Sequence, residues 1–236
     1  MEAAILFEDK EIIVAKKPAG MLSQGNRSSA ADMVSYLKNY LYNQGGIKGE
    51  PYIGLIHRLD RPVGGIMVFA KTPKSAGILS RQIQNNQMIK KYQAVLTGEL
   101  AEKSARLTNY LVKDTKTNLS EVVPKDTRGS KKAVLDYQVL QSERTAGRIY
   151  TLALIKLITG RHHQIRVQMV NAGAGVYGDT KYNPLFAGQK GWFDMGLFAY
   201  SLELNHPLTD QRLKFHCQPE GEVFARFNTS GIGLDR

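Results

Sequence analysis

Apolar and polar residues alternate along the chain in short blocks that predict both strands and helices. Residues 5–17 hold two apolar runs around Glu8–Lys10 and end in a Lys-Pro-Ala-Gly turn, which predicts a β-hairpin. A helix should follow, because Ser29 and Asp32 have capping-box spacing and apolar residues then recur at helical spacing until Gly45. These recurring residues are Met33, Tyr36, Leu37, Tyr40 and Leu41.

The middle of the chain continues this pattern. Thr72 and Pro73 are a good start for a second helix, since proline favours the first helical position. Residues 90–97 alternate as a strand that places Tyr92 on one side. Residues 133–140 and 148–157 are also typical of strands, and the QSERTAG stretch between them predicts the turn of a hairpin.

These elements predict one α+β domain over residues 1–236 with a largely antiparallel sheet and a few helices. We expect two subdomains, at approximately 1–100 and 130–225, joined by a polar connecting segment. Residues 125–132, KDTRGSKK, look like a basic loop within that segment. The loop is either simply solvated or a contact for phosphate.

Charge narrows the class of partner. The chain has 32 Lys+Arg against 21 Asp+Glu, a net charge of +11 and a pI near 9.6, which favours a polyanion such as nucleic acid. No signal peptide or membrane span is evident, and the single cysteine, Cys217, excludes an intrachain disulfide. A cytoplasmic location and no membrane partner are therefore expected.

The stretch Gly54–Lys71, GLIHRLDRPVGGIMVFAK, stands out from the rest of the chain. It places charged residues, among them Arg58 and Asp60, between two apolar runs, with Pro62 and a Gly-Gly pair as breaks. Asp60 is either the cap of a turn, a common role for aspartate, or a carboxylate held for chemistry.

A second unusual feature is Arg166. In residues 159–171, His162, Ile165, Arg166, Met169 and Val170 fall at helical spacing, which would put Arg166 on the inward face. An arginine cannot lose its proton in a protein, so it either has an acidic partner there or extends along its stem to the surface.

Three stretches of this sequence resemble motifs of the pseudouridine synthases, specifically the RluA-like branch. They are HRLD followed by a Gly-rich turn, the Lys-Tyr pair at 91–92, and TGRHHQIRVQM at 159–169. The resemblance implies the pseudouridine synthase fold, with the sheet split by a central active-site cleft, and extends over nearly the whole chain. An N-terminal S4 domain, which many members carry, is not expected. Gly64, Gln168 and Phe198 depart from the family pattern.

The resemblance also implies roles for particular residues. Asp60, Tyr92 and Arg166 would be catalytic, with Arg166 paired to Asp60. Asp60 could attack C1′, attack C6 or remove a proton from the sugar. Arg58, Tyr92 and Ile165 would bind the substrate, with Arg58 filling the gap left by a flipped-out uridine.

The expected partner is ribosomal or transfer RNA, acted on by a monomer without an obligatory protein partner. Since isomerisation of uridine changes no oxidation state and adds no group, no cofactor is expected. Adjacent histidines on a helix point to different sides, so His162 and His163 do not predict a metal site. A catalytically silent RNA-binding or ribosome-assembly protein, and an enzyme that cleaves nucleosides, are the competing hypotheses.

Overall fold

The computed structural model describes residues 2–25, 30–45 and 49–227. The chain divides into two compact units. Unit 1 comprises the described residues of Met1–Ile89 and Ala199–Cys217, and unit 2 those of Lys90–Phe198 and Gln218–Arg236. The chain thus returns to the first unit after Phe198, and the local sequence pattern gives no sign of this return.

The described residues form strands and helices in the following order. They are β1 (Ala4–Glu8), β2 (Ile12–Lys17), α1 (Met33–Asn43), β3 (Gly54–Leu55), β4 (Gly64–Ala70), α2 (Pro73–Gln84), β5 (Ile89–Thr97), β6 (Ser104–Asp114), β7 (Leu119–Val123), β8 (Lys131–Thr145), β9 (Arg148–Leu157), α3 (Gln164–Asn171), β10 (Gly175–Val176), β11 (Leu197–Asn205), β12 (Arg212–His216) and α4 (Glu222–Ala225).

Unit 1 is organised around β4. Its strands lie in the order β1-β2-β4-β11-β12, and β3 also pairs with β4. Every residue of β4 is buried, as its unbroken apolar sequence GGIMVFA indicates. The core of the unit joins this strand to α2 and its neighbours, through Ile12, Val14, Ile66, Val68, Ala70, Leu79, Met88, Leu202 and Leu204.

The helices of unit 1 begin where their capping residues lie. Asp32 caps α1 by accepting a hydrogen bond from the Ser35 N–H at 3.1 Å, and Thr72 caps α2 in the same way with Pro73 at the first helical position. The predicted capping role of Ser29 lies outside the described residues. The predicted hairpin and both predicted helices are confirmed.

Unit 2 holds a meander of antiparallel strands in the order β5-β9-β8-β6-β7, with β10 on β5. α3 packs on this sheet, where its Val167 contacts Leu111 and Ala133. Two predictions are corrected in this unit. The polar segment expected to connect subdomains forms β6 and β7, and most of the expected QSERTAG turn belongs to β8. Only Ala146 and Gly147, both with positive φ, make the turn between β8 and β9.

The pairings within each unit confirm the α+β class and the largely antiparallel sheet. The central cleft that the resemblance implies stays a prediction. The described residues include no helix that is both long and apolar enough to cross a membrane.

The start of β4 depends on a close backbone approach at Gly65. A Cβ added there would lie 2.3 Å from the carbonyl oxygen of Ala199, at a φ of +127°. We expect Gly65→Ala to lower the free energy of unfolding by more than 2 kcal/mol, roughly the upper range of single-residue backbone effects. Urea unfolding measures it. Gly147→Ala is the matched control, because φ is +74° and nothing lies within 4 Å, so an equal loss there would contradict the steric argument.

Candidate active site

The Asp60 loop of unit 1, residues 57–61, is fixed by the chain that follows β2. Buried Ser23 donates its Oγ hydrogen to the Leu59 carbonyl at 2.7 Å and accepts from the Leu59 N–H at 3.0 Å. On the other side of Asp60, the Gly20 N–H donates to the Arg61 carbonyl at 2.8 Å and Arg61 Nε donates back to Gly20 at 3.0 Å. The residues flanking Asp60 are therefore held on both sides, while the Asp60 side chain remains half-exposed.

The same loop rests on a buried ammonium group. Lys17, at the end of β2, has no exposed surface, and its Nζ donates to the carbonyls of Pro18 at 3.0 Å, Met21 at 2.7 Å and Arg61 at 3.2 Å. Burial lowers the pKa of Lys17 to about 7, and the charge of Asp60 opposes this change. The charge of Lys17 therefore acts on Asp60, although the two residues are far apart in the sequence.

Lys17 should make the stability of the protein depend on pH. The folded protein releases this proton near pH 7, whereas the unfolded chain holds it until about 10.5. Between these values the unfolded state binds more protons, so the contribution of Lys17 to the free energy of unfolding rises with pH, by at most ~1.4 kcal/mol per unit. Below pH 7 the full burial penalty remains.

Urea unfolding at pH 7 and pH 9 tests this expectation. Lys17→Met removes a hydrogen bond from three carbonyls, although the carbonyl of Arg61 keeps the Gly20 N–H as a donor, and the variant should be less stable at both pH values. The wild type should gain more stability between pH 7 and pH 9 than the variant does. Parallel changes in the two proteins would show that Lys17 does not titrate in this range.

Two other side chains of the loop differ sharply in their surroundings. His57 Nε2 accepts a hydrogen bond from the Val68 N–H at 3.2 Å, and this bond attaches the start of the loop to β4. Arg58 is exposed and makes no hydrogen bond or ion pair within the described part of the chain. Its guanidinium is therefore available to an external ligand.

Tyr92 lies in unit 2, on β5 opposite Ile155 of β9, and only 6% of it is exposed. A buried tyrosine on a strand that is paired along its length is pre-positioned, because β5 and β9 leave the ring few orientations. The predicted strand around Tyr92 is confirmed.

Arg166 is buried in α3 and is bound by Asp179. Its Nε donates to Asp179 Oδ2 at 2.8 Å and its Nη2 to Oδ1 at 2.6 Å, a two-point ion pair whose side chains are 4% and 0% exposed. Oδ1 also accepts from the N–H groups of Lys181 and Tyr182. The interpretation that Arg166 faces inward is confirmed, whereas its predicted pairing with Asp60 stays a prediction.

The start of α3 is fixed by a small polar cluster. His163 has a left-handed φ of 52°, and its Nδ1 lies 2.6 Å from the Tyr182 hydroxyl, which also accepts from the Ser120 N–H at 2.8 Å. The Arg166 guanidinium lies over the Tyr182 ring at 5.1 Å. β7, α3 and the segment after β10 therefore meet around the Arg166–Asp179 pair.

Sequence reasoning missed two of these residues. Asp179 carries a signal only through its place in the GDTKYN stretch at 178–183, and Lys17 only as one of two adjacent lysines before a proline. Among the other predicted residues, Ile165 is buried on α3 beside Arg166. Two of the departures from the family pattern, Gln168 and Phe198, are buried in unit 2.

No group of three His, Cys, Asp or Glu residues that could hold a metal ion occurs within residues 2–25, 30–45 and 49–227.

Comparison with known proteins places this arrangement in a family. A family model described as RNA pseudouridylate synthase matches residues 11–171, well over half of the chain. This range includes Lys17, the Asp60 loop, Tyr92 and Arg166. The chain therefore belongs to the RNA pseudouridine synthase family and is an enzyme of the isomerase class.

Relatives from several bacteria agree with this assignment. An uncharacterised RNA pseudouridine synthase of Bacillus subtilis, YlyB, is 31% identical and aligns with 91% of this chain and 68% of its own. Ribosomal large subunit pseudouridine synthase D of Vibrio parahaemolyticus is 31% identical over 98% of this chain and 73% of its own. The tRNA pseudouridine synthase C of Haemophilus ducreyi is 29% identical, with 98% and 97% covered.

Solved structures share the fold. Human RNA pseudouridylate synthase domain containing 4 superposes with a TM-score of 0.74 at 25% identity, covering 92% of this chain and 88% of its own. Human RNA pseudouridylate synthase domain containing 1 gives a TM-score of 0.73. The pseudouridine synthase fold predicted from the sequence is confirmed.

Proposed function

We propose that this enzyme converts specific uridines of ribosomal or transfer RNA to pseudouridine, with Asp60 as the reacting carboxylate. The observation that carries the proposal is the fixed geometry of the Asp60 loop. Ser23, Gly20 and Lys17 hold the backbone on both sides of a half-exposed carboxylate. The names of relatives such as ribosomal large subunit pseudouridine synthase D and tRNA pseudouridine synthase C support the two classes of RNA.

The reaction keeps all atoms of the nucleoside. The bond from ribose C1′ to N1 breaks and a bond from C1′ to C5 forms, while C5 loses a proton and N1 gains one. A carboxylate beside the sugar can attack C1′, attack C6 or accept a proton from the sugar, and each of these requires the ionised form of Asp60. No step requires a redox group or a donor from outside.

We propose that Tyr92 stacks on the detached uracil and takes part in removing the C5 proton. Ile165 would add an apolar contact to the base. Arg166, held by Asp179, would supply the positive charge that orients Asp60. These roles would hold the uracil in place between breaking the first bond and making the second.

Arg58 is suited to the flipped state of the RNA. A uridine stacked in a helix has to leave the stack before any group can reach C1′, at a cost of a few kcal/mol. An exposed guanidinium that has no partner among the described residues can stack in the gap and also meet phosphate. We propose this role for Arg58.

The charge of the protein supports RNA as the partner. The chain carries +11, and Lys125, Arg128, Lys131 and Lys132 are all exposed where β7 leads into β8. Such a surface attracts phosphate regardless of sequence, so RNA affinity should fall steeply with salt.

We propose that the chain acts as a cytoplasmic monomer of one catalytic domain with two subdomains. Light scattering of the purified protein tests its oligomeric state.

Isomerisation is tested with RNA labelled with tritium at C5 of uridine, taken from cells in which this gene is deleted. The purified protein should release tritium from the ribosomal or the transfer RNA, and mapping the treated RNA should locate the new pseudouridine. Pseudouridine at that position should be missing from the deletion strain and present in its parent. Absence of tritium release from both RNAs would overturn the proposal.

A further inference from the structure

Lys90 lies close to the candidate active-site tyrosine on the same strand. It precedes Tyr92 by two residues on β5, so both side chains project from the same face of the sheet. Lys90 pairs with Leu157 of β9 and extends toward the turn that leads into α3. A Cβ built on Gly160 of that turn would lie 3.5 Å from Lys90 Nζ.

The ammonium group of Lys90 lacks a partner in the described part of the chain. It makes no hydrogen bond there and no ion pair, and burial lowers its pKa without an opposing charge nearby. Lys17, by contrast, has three carbonyl acceptors for its three N–H bonds. Partial burial of an unpaired cation is unfavourable, so an anion bound beside Lys90 would stabilise its charged form.

The surroundings of Lys90 add positive charge. Arg161 follows Gly160, is exposed, and is fixed by donation from its Nε to the Lys132 carbonyl at 2.9 Å. α3 starts at Gln164 without a side-chain cap, and the N-terminal end of a helix carries a partial positive charge. The segment from Gly160 to Gln164, whose Gly160 lies beside Lys90 Nζ, therefore carries an arginine and a helix start, both of which favour a phosphate group.

We propose that Lys90 binds a phosphodiester of the RNA, adjoining the uridine that Tyr92 contacts. The identity of the anion rests on the proposed function, since RNA is the polyanion that the enzyme is proposed to modify. Lys90 would thereby fix the position of the ribose relative to the Tyr92 ring. The free-energy cost of burying the Lys90 charge would be offset only when the phosphate is bound. RNA that places a phosphate at Lys90 would therefore bind more tightly than RNA that does not.

A mutant cycle between protein and RNA tests this contact. The probe is a stem–loop RNA chosen from fragments of ribosomal and transfer RNA by its affinity for the protein, with each loop phosphate replaced in turn by a neutral methylphosphonate. Binding is measured in an Asp60→Asn background, so that no turnover occurs. At one phosphate, the methylphosphonate should weaken RNA binding by about tenfold in the protein that keeps Lys90, as expected for one charge-assisted hydrogen bond. The same methylphosphonate should have no effect on RNA binding by the Lys90→Met variant.

Lys156→Met is the matched control. Lys156 is exposed on β9 and pairs with Lys91, on the opposite face of the sheet from Lys90, so it should leave the phosphate pattern unchanged. Lys90→Met removes a partly buried, unpaired charge and should keep or raise the melting temperature. As a second readout, the pKa of the Lys90 ammonium, followed by NMR at its Cε, should rise when the RNA binds.

The outcomes separate this inference from the proposed function. If no phosphate couples to Lys90 and its pKa is unchanged by RNA, the inference is wrong, whether or not the wild type makes pseudouridine. If one phosphate couples to Lys90 but the wild type makes no pseudouridine in any RNA, the contact stands and the proposed function fails.

Discussion

Asp60→Asn should leave the protein folded and able to bind RNA but reduce pseudouridine formation on the order of 10⁴-fold, the scale seen when an enzyme loses its reacting group. Asparagine matches the shape of aspartate but is neither a nucleophile nor a base at neutral pH. The fold should survive, because the hydrogen bonds to the backbone of Leu59 and Arg61 that hold the loop remain in the variant. Tritium release from C5-labelled RNA measures the loss.

Controls separate the chemical effect from a change in charge. Glu121→Gln removes one exposed negative charge on β7 and should retain the wild-type rate. The free energy of unfolding of Asp60→Asn, measured with urea, should fall by no more than about 0.5–3 kcal/mol, the usual range for one substitution, because the charge of Asp60 also favours protonated Lys17. Product formed by Asp60→Asn at the wild-type rate would exclude Asp60 as the reacting group. Absence of product from both the wild type and the variant would favour a catalytically silent RNA-binding protein.

Local patterns predicted the elements that local interactions define. The first hairpin, α1, α2 and the strand of Tyr92 each follow from apolar spacing and a capping or turn residue within a few positions. The strands β6 and β7 were not predicted, because polar residues are interspersed in both sequences and exposed and half-buried residues dominate both strands. Pairing with a neighbouring strand formed them despite weak apolar patterning.

Contacts between residues far apart in the chain could not be predicted from local sequence patterns. Lys16 and Lys17 look alike, and only the pairing of β2 with β4 decides which of the two ends up buried near the Asp60 loop. Asp179 lies beyond the end of α3, in a turn whose approach to Arg166 depends on how β10 returns the chain. The need of a buried arginine for a carboxylate was predictable, but its position was not.

Asp179→Asn should destabilise the protein by about 3–5 kcal/mol, because it removes the carboxylate that binds a buried guanidinium. The amide oxygen can still accept from the N–H groups of Lys181 and Tyr182, but the amide NH2 would face the Arg166 Nε–H, so the loss includes one hydrogen bond as well as the charge on Asp179. Activity should fall with stability, since Arg166 is a candidate catalytic residue. Urea unfolding and tritium release measure the two effects.

The chain contains its own control for this pair. Arg106 binds Asp136 with the same two-point geometry, at 2.6 and 2.9 Å, but the side chains are 63% and 33% exposed. Solvent screens that pair, so Asp136→Asn should lower stability by only about 0–1 kcal/mol. The double variant Arg166→Met with Asp179→Leu should be more stable than Asp179→Asn, because it leaves no buried charge. Equal losses from Asp179→Asn and Asp136→Asn would show that burial of the Arg166–Asp179 pair does not set its contribution.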